Sequence, residues 1–224
     1  MKGSKYFQYI YLTMKTTKDI VLISTPQKYN NQIEISGGTV LWLDTSFKPL
    51  HHVSISGIVE AVPGLLSPSH YAHGNSTMDL QVGDKVYFNY LTIHPDNLVW
   101  HEDKEYYQVE YFNIFCYIRD GKMHMTNSWV FVEPLEEEVS SHYGNSSIII
   151  PQAYRKKKNY KIGRLRHIGT PQRNEPSLKV SEGDYVVYAK NADFANEIEG
   201  EVMYTMRQKD LFAVIQEECL KNFA

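Results

Sequence analysis

The chain has 224 residues, 42% apolar and 22% charged, with a formal net charge of −3. That is enough apolar material for one large core or two modest ones. Residues 1–122 carry 10 basic and 12 acidic side chains and residues 123–224 carry 13 and 14, which excludes nucleic acid as a default partner.

In chain order, residues 1–18 read as an extension. They lack the apolar centre of a signal peptide and the Arg/Ser bias of a transit peptide. A first strand follows, Asp19–Thr25, stopped by Pro26. Next comes a polar stretch holding a small apolar knot, SGGTVLWL at 36–43, and then a Gly-initiated strand, GIVEAVPG at 57–64. Residues 65–79 and 93–102 read as insertions of unassigned role. Between them lies LQVGDKVYFNYL at 80–91, where Gly83-Asp84 reads as a tight turn feeding a buried strand. Glycine tolerates positive φ, and an Asp side chain can bond the backbone two residues on. EYYQVEYFNIFCYIRDG at 105–121 closes the unit.

The series then repeats. Ser128–Val132 is a strand stopped by Pro134, and NSSIIIP at 145–151 is a second knot. GRLRHIGTP at 163–171 starts on glycine, and LKVSEGDYVVYA at 178–189 carries Gly183-Asp184. EIEGEVMYTMRQKDLFAVIQ at 197–216 closes it, and the tail from Leu211 to Phe223 has room for a turn or two of helix. A period near 100 residues means two tandem domains, since solenoids repeat every ~20–50 residues. With 17 tyrosines and weak helical periodicity, the fold class is all-β, two small barrels or sandwiches. The boundaries are 19–122 and 123–224. Asp120-Gly121 joins two apolar runs and predicts a hairpin at the junction, with no flexible linker.

Read in order, these parts resemble a GroES-type co-chaperonin subunit, present twice over roughly residues 19–218. The second copy is the closer match. The first is more altered, with Thr39 where the family has an aliphatic residue, and the second has Ser146-Ser147 in place of the Gly-Gly before the knot. The resemblance implies two tandem GroES-like β-barrels that cap a nucleotide-bound GroEL-type chaperonin in ATP-driven folding. It implies chaperonin-binding residues Thr39, Val40 and Leu41 in the first loop and Ile148, Ile149 and Ile150 in the second. Gly83, Asp84, Gly183 and Asp184 are structural turns. The family closes seven barrels into a ring by pairing the last strand of one subunit with the first of its neighbour. The chain is therefore expected to form a homo-oligomeric ring, as three or four chains side by side or as seven chains in two tiers. The hairpin at 120–121 would make one such contact covalent.

Several other signals carry bland readings. No CxxC accompanies Cys116 and Cys219, so free thiols in a reducing, cytoplasmic setting are expected. No apolar stretch approaches the ~20 residues of a membrane span. His51, His52, His70, His73, His94 and His101 match no closed metal site. The basic run Arg155–Lys158 and the acidic run Glu136–Glu138 read as solvated charge. Medium-chain zinc dehydrogenases share the Val-Gly-Asp turn, but their zinc-ligand Cys, Gly-His-Glu and GxGxxG motifs are missing. No enzyme, metal or cofactor is expected. The remaining alternative is a GroES-like barrel reused as a non-chaperone binding or virion structural protein.

Overall fold

A computed structural model describes residues 15–25, 32–35, 37–44, 53–66, 78–138, 157–170, 178–192 and 194–222. Among them the strands in chain order are β1 (Ile20–Ser24), β2 (Gln32–Ile35), β3 (Thr39–Trp42), β4 (Ser56–Ala61), β5 (Lys85–Phe88), β6 (Leu98–His101), β7 (Lys104–Glu110) and β8 (Ile114–Arg119). They continue with β9 (Lys122–Met125), β10 (Trp129–Glu138), β11 (Lys157–Ile168), β12 (Tyr185–Tyr188), β13 (Phe194–Ile198), β14 (Glu201–Arg207) and β15 (Leu211–Ile215). Short 3-10 turns supply the only helical geometry among the described residues. The tail that had room for a turn or two of helix is β15 in its first half and a 3-10 helix at Glu217–Asn222 in its second. Phe212, Val214 and their neighbours follow the two-residue period of a strand, which wins over the weak helical propensity.

All of these strands but β2 and β3 build two sheets, ordered β6-β7-β1-β4-β5-β8-β9 and β13-β14-β10-β11-β12-β15. Every neighbouring pair is antiparallel. The fold is all-β, with two β-barrel-like domains. Their registers coincide: Tyr107 sits opposite Leu98 and Ile23 in one sheet, as Tyr204 sits opposite Ala195 and Val132 in the other. The cores repeat as well. Val21, Ile23, Val59, Val86 and Phe88 fill the first, and Val130, Val132, Leu165, Val186 and Tyr188 fill the second.

That comparison corrects the reading of 93–102 as an insertion. Leu98–His101 is β6, the counterpart of β13, and the turn closed by the Thr92 amide on the Asn89 carbonyl matches that of Ala192 on Ala189, so the additional residues are those around the 3-10 turn at Pro95–Asn97. Polar turn residues around Pro95 hid a four-residue strand. Residues 67–77 of the other insertion lie outside the described residues.

The predicted hairpin forms. β8 pairs with β9 from Cys116↔Met125 to Arg119↔Lys122, around Asp120 and Gly121, both at positive φ. β9 thus lies in the first sheet, and the chain runs straight on into β10 of the second.

The barrels then pack on each other. Tyr87, Phe115 and Cys116 from one join Phe131, Ile198 and Met203 from the other in a shared buried cluster. Phe115 meets Trp129 edge to face at 4.6 Å, and Tyr90 stacks on Phe194 at 5.6 Å. The guanidinium of Arg207 lies between the rings of Phe112 (3.6 Å) and Trp129 (3.8 Å). Its Nη2 and the Trp129 Nε1 both donate to the Phe112 carbonyl, at 2.6 and 3.0 Å. A buried cation between aromatic faces is a desolvated, directional contact. These contacts hold the two barrels as lateral neighbours.

Two expected results test this junction. Burial pushes the Cys116 thiol well above its ordinary pKa, whereas Cys219 is exposed. One thiol should therefore react rapidly with a thiol reagent and the second only on unfolding, because the thiolate is the nucleophile. Rapid labelling of both would mean that the barrels part readily. At the rim, Lys85 Nζ and the Tyr87 hydroxyl each donate to Glu199 at 2.7 Å. The Lys85 hydrogen bond, followed by that of Tyr87, holds the Glu199 carboxyl below its ordinary pKa. A folded-state pKa below the unfolded value gives stability that is present above the unfolded pKa and is lost as pH falls through the folded one. Wild type should therefore exceed Glu199→Gln in stability at neutral pH, and denaturant titrations should show the gap closing in acid. The gap will be small, since both side chains are over two-fifths exposed.

Candidate functional site

The first knot lies in a hairpin that stands apart from both barrels. Among the described residues β2 and β3 pair only with each other, from Gln32↔Trp42 to Ile35↔Thr39, as a separate two-stranded sheet. Gly37 and Gly38 turn it with φ of +100° and +75°, and the Gly38 amide donates to the Ile35 carbonyl at 3.2 Å. A Cβ added at either glycine would meet nothing within 4 Å, so the tip projects into open space.

Thr39, Val40, Leu41 and Trp42 are all exposed. Val40 is 43%, Leu41 48%, Trp42 69% and Ile35 43% exposed, and none joins a core cluster. The sequence reads as an apolar knot in a polar stretch. The structure gives a strand that is not buried. Strand pairing satisfies the backbone while β-branched and aromatic side chains stay outside. A lone hairpin is marginally stable in water, so it holds its shape without being rigid. The second knot, Ile148–Ile150, lies outside the described residues.

The Gly-Asp turns sit at matching places in the two barrels. Gly83 and Gly183 have φ of +95° and +96°. The Gly83 amide donates to Val59 and the Val59 amide to Asp84, as Gly183 donates to Leu165 and Leu165 to Asp184, all at 2.7–2.9 Å. The side chains differ from the sequence expectation. Each Asp reaches back three residues, accepting from the Gln81 amide (2.7 Å) or the Ser181 amide (2.8 Å). Reaching back closes the turn before the strand starts and leaves the strand amides to the ladder. Only Asp84 gains a clamp, the bidentate Arg119 guanidinium at 2.9 and 2.6 Å.

Of the six histidines noted in the sequence, His94 and His101 are described. The His94 Nδ1 accepts from the Asp96 amide and caps a turn, and His101 lies 3.8 Å from Glu102. His51, His52, His70 and His73 lie outside the described residues. Among the described residues no cluster of His, Cys, Asp or Glu could hold a metal. Glu137 and Glu138 on β10 pair in backbone register with Lys158 and Lys157 on β11, and Arg155 and Lys156 lie outside the described residues. Arg207 and Glu199 gave no advance signal, because their partners lie in the other barrel, 95 and 114 residues away.

A family model described as "Chaperonin 10 Kd subunit" matches residues 122–215, from the first residue of β9 to the last of β15. A protein named "Co-chaperonin GroES" from Leptothrix cholodnii is 30% identical over 98 residues, which is 42% of this chain and 97% of that protein. The chain belongs to the chaperonin 10 family. A second "Co-chaperonin GroES", from Rickettsia canadensis, is 32% identical over 90 residues, covering 38% of this chain and 90% of the relative. One chaperonin 10 unit therefore begins with β9 by sequence, although β9 pairs with the last strand of the preceding barrel. The family's unit and the sheet boundary differ by one strand.

Proposed function

We propose that the chain caps a GroEL-type chaperonin ring and assists ATP-driven folding, with Thr39–Leu41 and Ile148–Ile150 as its docking knots. The observation that carries the reading is the projecting β2–β3 hairpin, whose apolar strand is exposed along its length. Full burial of an aliphatic side chain contributes roughly 1.5–3 kcal/mol. Ordering a free segment costs about 1–2 kcal/mol per residue, and a hairpin that is already paired avoids much of that. Each loop then binds modestly, and many loops on one ring bind firmly but reversibly. Support for the second knot is its sequence position in the unit matched by the family.

In this reading the units are 19–122 and 123–224, and the chain works in the cytoplasm as a homo-oligomeric ring. β8 is covered by β9, but among the described residues its counterpart β15 ends the second sheet, and a sheet edge is a template for pairing. Heterologous contacts of this kind make a ring when the rotation between neighbours closes. Native mass spectrometry is expected to give three or four chains, matching the lateral packing of the barrels. Seven chains would mean that the two barrels occupy separate tiers. The function itself is tested by refolding a chaperonin-dependent client with purified GroEL-type chaperonin and ATP. Adding this chain should raise the yield, and an unchanged yield would reject the capping role.

A further inference from the structure

The internal junction is a worked example of how one barrel meets the next, and the same positions on the outer faces carry different chemistry. β7 and β14 are each seven residues long and pair alike, Ile20↔Glu110 in one barrel and Trp129↔Arg207 in the other. The 3-10 turns that follow, Tyr111–Asn113 and Gln208–Asp210, put Phe112 and Lys209 at equivalent places. β8 and β15 also share a register against β5 and β12, including the irregularity one step from the end, so Phe115 corresponds to Phe212.

At the internal junction Phe112 and Phe115 meet Arg207 and Trp129. On the outer faces those four positions are Lys209 and Phe212 on the second barrel, and Glu110 and Ile20 on the first. Phe115 is 2% exposed, whereas Phe212 is 65% exposed. Glu110 and Lys209 are both exposed. The positions they occupy are near neighbours across a junction, since the Arg207 guanidinium lies 3.6 Å from the Phe112 ring. An acid and a base therefore stand where the internal junction has a guanidinium and an aromatic ring.

We propose that a second copy of this chain docks the first barrel's outer face on the β15 face in the geometry of the internal junction, with its Glu110 paired to Lys209. This rests on the ring reading above and adds that the ring alternates two unlike contacts. The internal one is aromatic and covalently tethered. The one between chains is an ion pair beside an apolar patch around Phe212. An ion pair at the rim of an interface is screened by salt, whereas a buried aromatic contact is not. The ring therefore opens between chains, and opens more readily as ionic strength rises. The opposite charges also fix the order of docking, because two second-barrel faces would oppose Lys209 to Lys209.

The test is charge reversal on the full chain, read by sedimentation velocity and native mass spectrometry. Lys209→Glu alone and Glu110→Lys alone should each weaken assembly by at least about tenfold, as like charges meet. The two changes in one chain should restore assembly, and raising salt should disperse the wild type more than a Lys209→Gln variant disperses relative to its own low-salt state. Thermal melting controls for folding, and the neutral changes Lys209→Gln and Glu110→Gln read the same link if a reversed variant melts early. Single reversals that assemble like the wild type, or a combined variant no better than either, would overturn the pairing while leaving the ring intact. A wild type that never self-associates would overturn the ring reading and this inference together.

Discussion

Serine at Ile148, Ile149 and Ile150 is expected to remove most capture of a nucleotide-bound chaperonin, and serine at Val40 and Leu41 to weaken it, with the melting temperature unchanged in both. Val40 and Leu41 are 43% and 48% exposed, so docking can bury about half of each side chain. That is worth about 1 kcal/mol apiece, and losing both weakens one loop roughly 30-fold. A ring multiplies the loss over its loops, so a modest change per loop becomes a large one in avidity. The triple isoleucine knot carries more apolar surface than Thr39–Leu41 and is expected to show the larger effect. Neither Val40 nor Leu41 belongs to a core cluster, which is why stability should hold. If the isoleucine change unfolds the second barrel, Ile148–Ile150 is core and the site assignment fails. Equal losses from both sets would mean that the two loops bind alike.

Gly163→Ala is expected to destabilise the second barrel by about 3 kcal/mol or more, and Gly57→Ala to do the same in the first. A Cβ on Gly163 would run into the Val132 side chain and the Glu133 carbonyl. On Gly57 it would meet the Ile23 side chain and the Ser24 carbonyl. A side chain can rotate aside, but a carbonyl on a paired strand moves only with the sheet. For a chain of this size the melting temperature should fall by roughly 6–12 °C. Gly64→Ala is the control, since nothing lies within 4 Å of a Cβ there and its φ is not positive. Calorimetric melts of the three variants would contradict this packing if all shifted alike.

Those two glycines show why so much of the fold was legible. Close approach of two strands needs glycine at a fixed place, and the chain repeats it along with the Gly-Asp turns. Local chemistry also marked the Asp120-Gly121 hairpin. Legibility stopped where the deciding partner was distant. The β6 strand was hidden because four residues between turn-forming Pro95 and Asp103 carry little period. Arg207 reads as a surface residue in MRQKD, and only Phe112 and Trp129 explain its burial. The direction of the Asp84 and Asp184 side chains is a choice between two local hydrogen bonds that sequence leaves nearly equal. The first knot was marked by its glycines and apolar run, but its pairing as an exposed hairpin depends on β2, whose residues Gln32–Ile35 are too few and too mixed to announce a strand.

The internal pseudo-symmetry also shapes how the assembly should behave. Fusing two barrels removes one diffusional step for every two positions in a ring and guarantees that half of the lateral contacts are made on folding. The remaining contacts can then be weaker without losing the ring, which matches a polar pairing of Glu110 with Lys209.

The most direct measurement is co-sedimentation of the wild-type chain with purified GroEL-type chaperonin, with ADP or ATP and without nucleotide. The account predicts that the chain pellets with the chaperonin when nucleotide is present and stays in the supernatant when it is absent. A chain that remains in the supernatant under all conditions, while folded and assembled, would contradict the capping role and favour a barrel reused for another kind of binding.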